Sequence, residues 1–299
     1  MVSRRSFLAA SAAGGVMAAS SNTLGQVGMT SSVKTGYAPV NGLKLYYELH
    51  GTGEPLILLH GGLGSIEMFG ELLPALSRTR KVIATDLQGH GRSGDIDRPI
   101  TYEVLADDVA ALMKSLGIEK ADVMGYSLGA GTALQMTIRH PAAVRKLVVV
   151  STVFKRNGWY PEILSAMAQL GPGVAEQLKQ SPLYQTYSRI APNPANWPML
   201  VTKMGDLLRK DYDWSIDIAA IKAPTMLIFG DADAMPPEHV VEFFELLGGG
   251  KKDGGWDGSG ISSARLAILP GLTHYNIFAS PALVPTVLPF LDAPKAGAK

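Results

Sequence analysis

The sequence contains no cysteine among its 299 residues, and its charges nearly cancel, with 27 Lys and Arg against 26 Asp and Glu. A chain without cysteine has no disulfide, no thiolate metal ligand, no cysteine nucleophile and no thiol for lipid attachment. A net charge of +1 does not provide the basic surface that binds nucleic acid. No apolar run reaches the roughly 20 residues of a membrane-spanning helix. We therefore expect no nucleic-acid partner and no stable membrane anchoring.

The amino-terminal residues have the order of an export signal. Arg4 and Arg5 precede a modest apolar segment, Phe7 to Ala19, and polar residues follow it. The arginine pair followed by Phe-Leu resembles a twin-arginine export signal. The sequence therefore predicts that residues 1–28 are a signal peptide and that the mature protein is periplasmic or secreted.

Short apolar runs alternate with helical patterns through the rest of the chain. Pro55 to Leu59 is continuously apolar, which is typical of a strand buried on both faces of a parallel sheet. An earlier alternating stretch, Gly42 to Leu49, and later runs such as Thr225 to Phe229 also read as strands. This order predicts an α/β fold with a mostly parallel central sheet flanked by helices.

One stretch carries the strongest chemical signal, from Ala121 to Thr132. It places Gly-Tyr-Ser-Leu-Gly between a predicted strand and a predicted helix, so Ser127 lies at the turn. Glycines two residues before and after the serine permit a turn so tight that side chains there would collide with the strand and helix. The free N–H groups of the helix terminus favour developing negative charge. Ser127 is the predicted nucleophile.

A serine hydroxyl needs a base to remove its proton, and the base needs an orienting carboxylate. His274 follows the last predicted strand and comes after the serine and both acid candidates. The candidates are Asp231, which directly follows a strand, and Asp233, which lies further out on the same loop. Loop geometry favours Asp233 as the residue able to reach the histidine, with Asp231 as the alternative.

The segment between the strands ending near Val150 and beginning near Thr225 differs in composition. Residues 152–217 hold three of the four tryptophans and only weak helical patterns. We interpret this segment as a helical cap over the serine, inserted into a core of residues 29–151 and 218–299. Trp159 and Tyr160 are nearest in sequence to the sheet and are the predicted substrate-binding aromatics. The alternative is that the aromatics form the core of the cap itself.

Five motifs then occur in a fixed order: H-G-G at residues 60–62, D-x-x-G-x-G-x-S at 86–93, G-Y-S-L-G at 125–129, G-x-x-D-x-x-P at 230–236 and P-G-x-T-H at 270–274. In this order they resemble the serine-nucleophile α/β-hydrolases, which include esterases, enol-lactonases, C–C bond hydrolases and cofactor-free haloperoxidases. The acid motif of that family places its aspartate at Asp233.

The resemblance implies the α/β-hydrolase fold, a Ser127–His274–Asp233 triad, and an oxyanion hole formed by the backbone amides of Gly62 and Leu128. The motifs say little about the substrate, but residues 152–217 lack a cluster of convergent charges, which predicts a neutral carboxylic ester or lactone. The mechanism requires no metal or organic cofactor. Perhydrolase or haloperoxidase activity, or C–C bond hydrolysis, would use the same triad. A binding protein on an inactive hydrolase scaffold is a further alternative, which an ester turnover assay would test.

Overall fold

The computed structural model describes residues 33–294, so the predicted export signal lies outside the described residues. Within this range the strands form one eight-stranded sheet. In chain order they are β1 (Lys34–Val40), β2 (Leu43–His50), β3 (Glu54–Leu59), β4 (Arg80–Thr85), β5 (Ala121–Tyr126), β6 (Val144–Val150), β7 (Thr225–Ala232) and β8 (Ala264–Thr273). The α/β class predicted from the sequence is confirmed.

The sheet is antiparallel at one edge and parallel elsewhere. Its spatial order is β1-β2-β4-β3-β5-β6-β7-β8. The pairs β1–β2 and β2–β4 are antiparallel, whereas every pair from β4–β3 to β7–β8 is parallel. The carboxyl ends of six strands therefore meet at one edge, where open α/β sheets bind their ligands.

Helices cover both faces of the sheet. Those of the described residues are α1 (Leu72–Ser77), α2 (Tyr102–Ser115), α3 (Leu128–Arg139), α4 (Pro161–Ala168), α5 (Pro172–Gln177), α6 (Pro182–Ile190), α7 (Trp197–Arg209), α8 (Ser215–Ala220), α9 (Pro237–Leu246) and α10 (Leu283–Asp292). Helices α2, α3 and α9 pack on one face, and α1 and α10 pack on the other. In the part of the chain that the structure describes, no helix has both the length and the apolar character needed to cross a membrane.

The two faces explain the unbroken apolar run in β3. Ile57 and Leu59 belong to the core under α2 and α3, whereas Leu56 and Leu58 belong to the core under α1 and α10. Successive side chains of a strand point to opposite faces, so a strand that is covered twice has no polar positions to alternate with. All four side chains are fully buried.

Between β6 and β7 the chain leaves the sheet and forms α4 to α8. These helices pack on one another, and the Trp197 indole N–H of α7 donates to the Ala175 carbonyl of α5 at 2.9 Å. Lys203 of α7 joins them to the loop after β4, because its Nζ contacts Asp95 Oδ2 at 2.6 Å and the Ile96 carbonyl at 2.8 Å. A partly buried ammonium–carboxylate contact of this kind helps to fix where α7 lies over the sheet.

A buried ion cluster holds the opposite, amino-terminal edge of the sheet. Asp122 of β5 is fully buried and accepts hydrogen bonds from Arg80 Nη1 at 2.6 Å and from Arg145 Nε at 2.8 Å. Arg80 is itself buried and also pairs with Asp292 of α10. The cluster joins β4, β5, β6 and the last described helix, at the end of β5 opposite to Ser127.

We expect Asp122→Asn to lower the free energy of unfolding by about 3–5 kcal/mol, because it removes the buried negative charge that the Arg80 and Arg145 guanidinium groups share. Urea denaturation of the purified protein measures this. The matched control is Asp107→Asn, whose carboxylate pairs with Arg139 at 2.7 Å on an exposed surface. There the loss should stay within about 1 kcal/mol. Equal effects in the two variants would contradict a structural role for the buried cluster.

Candidate active site

Ser127 lies in the turn between β5 and α3 and has a strained backbone. Its φ is 52° and its ψ is −113°, a conformation that residues other than glycine rarely adopt. A Cβ added to Gly125 would lie 2.1 Å from the Gly129 carbonyl oxygen, and one added to Gly129 would lie 2.2 Å from the Leu59 carbonyl oxygen. The glycines are therefore required by close backbone contacts, as the sequence predicted.

The structure brings His274 and Asp233 to this serine. His274 follows β8, and its Nε2 lies 3.1 Å from Ser127 Oγ. Its Nδ1 lies 3.1 Å from Asp233 Oδ1. Side chains that are 41 and 147 positions apart in the chain thus form one continuous hydrogen-bonded series. This is the arrangement in which a base can take the serine proton while a carboxylate orients the base.

The carboxylate of Asp233 is held by several donors. Oδ2 accepts from Ser151 Oγ at 2.5 Å and from the Gly230 N–H at 3.1 Å, and Oδ1 also accepts from the Ala234 N–H at 2.8 Å. Burial raises the pKa of Asp233, but the hydrogen bonds from His274, Ser151 and Ala234 outweigh it and hold that pKa below its usual value. Asp233 is therefore ionised at neutral pH and fixed in orientation.

Asp231, the alternative acid, points elsewhere. It is exposed, and its Oδ1 accepts the Gly271 N–H at 2.8 Å, which ties the end of β7 to β8. Strand β7 ends at Ala232, so Asp233 lies in the loop that follows the strand, and this loop turns toward His274. Of the two aspartates, the structure brings only Asp233 to His274.

The loop after β3 presents the Gly62 amide to the same space. The Gly61 carbonyl accepts from His60 Nδ1 at 2.7 Å and from the Gly64 N–H at 3.1 Å. The C=O and N–H of one trans peptide point in opposite directions, so the Gly62 N–H points away from both donors. Gly62 and Leu128 both line the cavity that contains Ser127. Neither N–H donates to another described residue.

The His60 side chain fixes the conformation of the loop after β3. The Leu87 N–H donates to His60 Nε2 at 3.0 Å, so Nδ1 is the nitrogen that carries the proton. Burial lowers the pKa of His60 to about 4, and the ring is therefore neutral at physiological pH. A neutral ring with one donor and one acceptor, each with a partner, holds the Gly61 peptide in a single orientation.

Two further residues hold the site, and the sequence reasoning did not find them. The Tyr126 hydroxyl donates to the His274 carbonyl at 2.6 Å and so joins the strand of the serine to the loop of the histidine. Ser151, the donor to Asp233, follows β6 and has the same φ of 52° as Ser127. The sequence contains a feature that could have pointed to each residue. Tyr126 occupies the second position of G-Y-S-L-G, and Ser151 directly follows a predicted buried strand.

A cavity of about 740 Å³ opens above Ser127, and we call it the main cavity. Its walls come from the loop after β3, from helices α4, α6 and α7, and from the loop that carries His274; among the described residues, no Asp, Glu, Lys or Arg lines it. Cavities of about 300–1,000 Å³ with mostly apolar walls are typical of small-molecule sites. Within residues 33–294, no group of three or more His, Asp or Glu side chains is placed to hold a metal ion.

The two aromatic residues predicted to bind substrate differ in their position relative to the main cavity. Trp159 lines the main cavity, only 5% exposed, with its ring centroid 5.5 Å from that of His274. Tyr160 is not among the lining residues, so its part in substrate binding stays a prediction without support from the cavity. Both residues are extended, with ψ of 152° and 148°, so their side chains point in opposite directions. The Tyr160 N–H instead donates to the Ala234 carbonyl at 3.1 Å and fixes the start of α4.

Known proteins share this sequence pattern and this fold. A sequence model described as alpha/beta hydrolase fold matches residues 54–193. The AB hydrolase superfamily protein YisY of Bacillus subtilis is 30% identical over 218 residues, which cover 64% of this chain and 79% of that protein. A pimeloyl-(acyl-carrier protein) methyl ester esterase of Neisseria meningitidis is 33% identical over 244 residues, which cover 75% of this chain and 90% of that protein.

Solved structures show the same architecture. The enol-lactonase from Burkholderia xenovorans superposes with a TM-score of 0.63 at 25% identity, over 86% of this chain and 100% of that one. The carboxylesterase CesB (YbfK) from Bacillus subtilis superposes with a TM-score of 0.68 at 23% identity, over 87% and 92% of the two chains, and shows the fold alone. The chain therefore belongs to the alpha/beta hydrolase fold family of hydrolytic enzymes.

Proposed function

We propose that this protein is a serine hydrolase that cleaves a neutral carboxylic ester or lactone through an acyl-enzyme intermediate. The observation that carries the proposal is the series Ser127 Oγ–His274 Nε2–His274 Nδ1–Asp233 Oδ1, with both contacts at 3.1 Å, at the floor of an apolar cavity. The esterase among the similar proteins is consistent with it.

In the first half-reaction, His274 Nε2 takes the proton of Ser127 as Oγ attacks the carbonyl carbon. Asp233 keeps the Nδ1 proton in place and stabilises the imidazolium that forms. The C–O bond of the ester then breaks, and the leaving alkoxide takes the proton from Nε2. In the second half-reaction His274 removes a proton from water, hydroxide attacks the acyl-serine, and Oγ regains its proton as the carboxylic acid leaves.

The tetrahedral intermediates carry an oxyanion that the amides of Gly62 and Leu128 are proposed to bind. Both N–H groups border the cavity at Ser127, and the Leu128 N–H belongs to the first turn of α3, where no intrahelical acceptor exists. Loss of one such donor costs about 2.7–4 kcal/mol of transition-state stabilisation in comparable enzymes. Because His60 holds the Gly61 peptide, the hole is formed before the substrate arrives.

The cavity walls support a substrate without charge. Its polar side chains outside the triad are mostly engaged: Ser181 Oγ donates to the Leu178 carbonyl at 2.6 Å, and Tyr126 donates to His274. A carboxylate or ammonium group placed here would lose its hydration without gaining a partner, which is strongly unfavourable. We propose on the same ground that residues 152–217 act as a cap, since α4, α6 and α7 supply much of this wall.

A panel of p-nitrophenyl esters from acetate to dodecanoate, with lactones beside it, tests the proposed activity. Turnover of neutral esters that depends on Ser127 is the expected result. The same buffers with added peroxide distinguish the related chemistry, because peracid formation faster than hydrolysis would identify a perhydrolase instead. No turnover of any ester or lactone by the folded protein would contradict the proposal.

Trp159→Ala is expected to move the preferred acyl chain to greater length, because the variant removes a large side chain from the cavity wall. Each methylene that fits or misfits contributes about 1–3 kcal/mol to discrimination, so kcat/KM for the longer esters should rise relative to acetate by roughly tenfold or more. Specificity constants across the ester panel measure the shift. Trp159→Leu provides a milder variant, since replacement of a buried tryptophan by alanine costs about 3–5 kcal/mol of stability.

Tyr160→Ala is the matched control. It removes an aromatic side chain from the next position, outside the cavity, and should leave the order of preference unchanged. A chain-length profile that shifts in Tyr160→Ala and not in Trp159→Ala would show that Tyr160, and not Trp159, contacts the substrate.

A further inference from the structure

A second, smaller cavity lies beside the main cavity, and we call it the side cavity. Its volume is about 180 Å³. The two cavities share Leu63, Met68, Pro182, Leu183 and Phe278 as wall residues, so at most one layer of side chains separates them. One of the shared residues is methionine, whose unbranched side chain rearranges readily. A rearrangement of Met68 would therefore let a substrate held at Ser127 extend into the side cavity.

The side cavity differs from the main cavity in having unengaged polar groups. Tyr187 of α6 is only 5% exposed, and its hydroxyl makes no hydrogen bond with another residue that the structure describes. Burial raises the pKa of Tyr187 to about 12, so the hydroxyl keeps its proton and can donate. Its oxygen is not sealed from solvent, because the described side-chain N and O atoms that are both buried and without a partner are His90 Nε2 and Arg92 Nη1. A ligand hydroxyl in this cavity would take the place of the solvent at the Tyr187 hydroxyl.

Glu67 provides the complementary acceptor. Its carboxylate accepts from Ser65 Oγ at 2.7 Å and from Arg92 Nη2, and it lines the side cavity. Burial raises the pKa of Glu67, but the hydrogen bonds from Arg92 and Ser65 outweigh it and leave that pKa below its usual value. An ionised carboxylate accepts up to about four hydrogen bonds, so capacity for a ligand remains. The Arg92 guanidinium balances the charge, and a charged ligand is not favoured.

We propose that the side cavity binds the alcohol half of the substrate, a compact uncharged alcohol that carries at least one hydroxyl besides the esterified one. The proposal rests on the hydrolase function proposed above. Hydroxyl groups both donate and accept, which matches a lining of Tyr187 and Thr186 hydroxyls with Glu67. The volume corresponds to about six water molecules at roughly 30 Å³ each, the size of a two- or three-carbon polyol. The apolar acyl half remains in the main cavity.

The reaction then proceeds as follows at this end of the substrate. The bond between the acyl carbon and the alcohol oxygen breaks, the oxygen takes the Nε2 proton of His274, and the polyol leaves with its other hydroxyls unchanged. The acyl group stays on Ser127 until water removes it. No oxidant, reductant or further reactant is required.

The test compares the ethyl, 2-hydroxyethyl and 2,3-dihydroxypropyl esters of hexanoic acid. In the wild type we expect kcat/KM to increase in that order. Tyr187→Phe should lower the ratio of dihydroxypropyl to ethyl ester by about three- to tenfold, as expected for one neutral hydrogen bond. The substitution keeps the ring and its packing on Trp197, 5.1 Å between centroids, so the variant should fold. Thr186→Val provides a second, independent variant with the same expected direction.

Tyr184→Phe is the control. Tyr184 lies on the same helix and also packs on Trp197, at 5.3 Å, but it lines neither cavity, so the ratio should not change. An unchanged ratio in both Tyr187→Phe and Thr186→Val would overturn the proposal. A preference for the trimethylammonioethyl ester over the dihydroxypropyl ester would overturn the assignment of an uncharged alcohol.

Binding measurements with compounds that cannot be hydrolysed test the side-cavity proposal independently of the proposed hydrolase function. The hexyl ether of glycerol and ethyl hexyl ether have the same two halves and no scissile carbonyl, and calorimetry measures their affinities. Tighter binding of the glycerol ether, reduced in Tyr187→Phe, supports the side cavity even if no ester is hydrolysed. Equal affinities in a protein that hydrolyses esters would overturn the side-cavity assignment and leave the hydrolase proposal intact.

Discussion

Ser127→Ala is expected to lower kcat for ester hydrolysis by about a millionfold, which is the order of loss seen when a triad serine is removed. The variant retains the cavity and the Gly62 and Leu128 amides, so substrate binding should survive. Stability should change little, because alanine has the same Cβ at φ 52° and the only loss is the Oγ contact to His274. Steady-state kinetics with circular dichroism and thermal unfolding measure both quantities.

Ser151→Ala is the matched comparison for this variant. Ser151 has the same φ of 52° and also follows a parallel strand, but its Oγ contacts Asp233 at 2.5 Å and not the reacting atoms. The loss of one hydrogen bond to a charged group contributes about 1.5–3 kcal/mol, so kcat should fall by no more than about a hundredfold. Residual activity of Ser127→Ala within tenfold of the wild type would refute the assignment of the nucleophile.

Asp233→Asn is expected to lower kcat by about ten-thousandfold, the second largest effect. An amide in place of the carboxylate can donate to His274 Nδ1, which moves the imidazole proton to Nε2. The ring then has no lone pair toward Ser127 Oγ, 3.1 Å away, and cannot act as a base. The amide oxygen at the Oδ2 position still accepts from Ser151 and Gly230, and only the Ala234 N–H loses its acceptor, so the variant should keep a folded site.

Asp231→Asn is the control for the choice between the two acids. Its amide oxygen can still accept the Gly271 N–H, so we expect at most a small loss of stability and turnover close to that of the wild type. The pair is informative because the two residues are two positions apart on one loop. If Asp231→Asn were the inactive variant and Asp233→Asn the active one, the contact of 3.1 Å between Asp233 and His274 would not be the catalytic one.

Neighbouring strands hold the backbones of Ser127 and Ser151, which explains how their strained conformations are maintained. The Ser127 N–H donates to the Val150 carbonyl at 2.9 Å, and the Ser151 N–H donates to the Ile228 carbonyl at 3.0 Å. Each strained turn is thus fixed to the end of the next parallel strand. Strain of this kind persists where the surrounding structure determines the backbone more strongly than local preference does.

Some features of this protein follow from local sterics, and the sequence alone determined them. The elbow at Ser127 was predictable because a turn that tight admits only glycine at positions 125 and 129, and the carbonyl oxygens that would lie 2.1 and 2.2 Å from an added Cβ bear this out. Strand β3 was predictable because a strand buried on both faces must be apolar throughout. By contrast β1 was not expected, since Lys-Thr-Gly-Tyr-Ala-Pro-Val is an edge strand with glycine and proline and shows little alternation.

Only the tertiary structure decided the rest, because it depends on where distant segments meet. The choice of Asp233 over Asp231 depends on how the loop after β7 faces the end of β8, 41 residues later. The separation of Trp159 from Tyr160 depends on the direction in which an extended chain enters α4, which composition does not encode. The unengaged Tyr187 hydroxyl is visible only once α6 lies against the loop after β3. Local patterns fix backbone conformation over a few residues, whereas the site is made by side chains that long-range packing brings together.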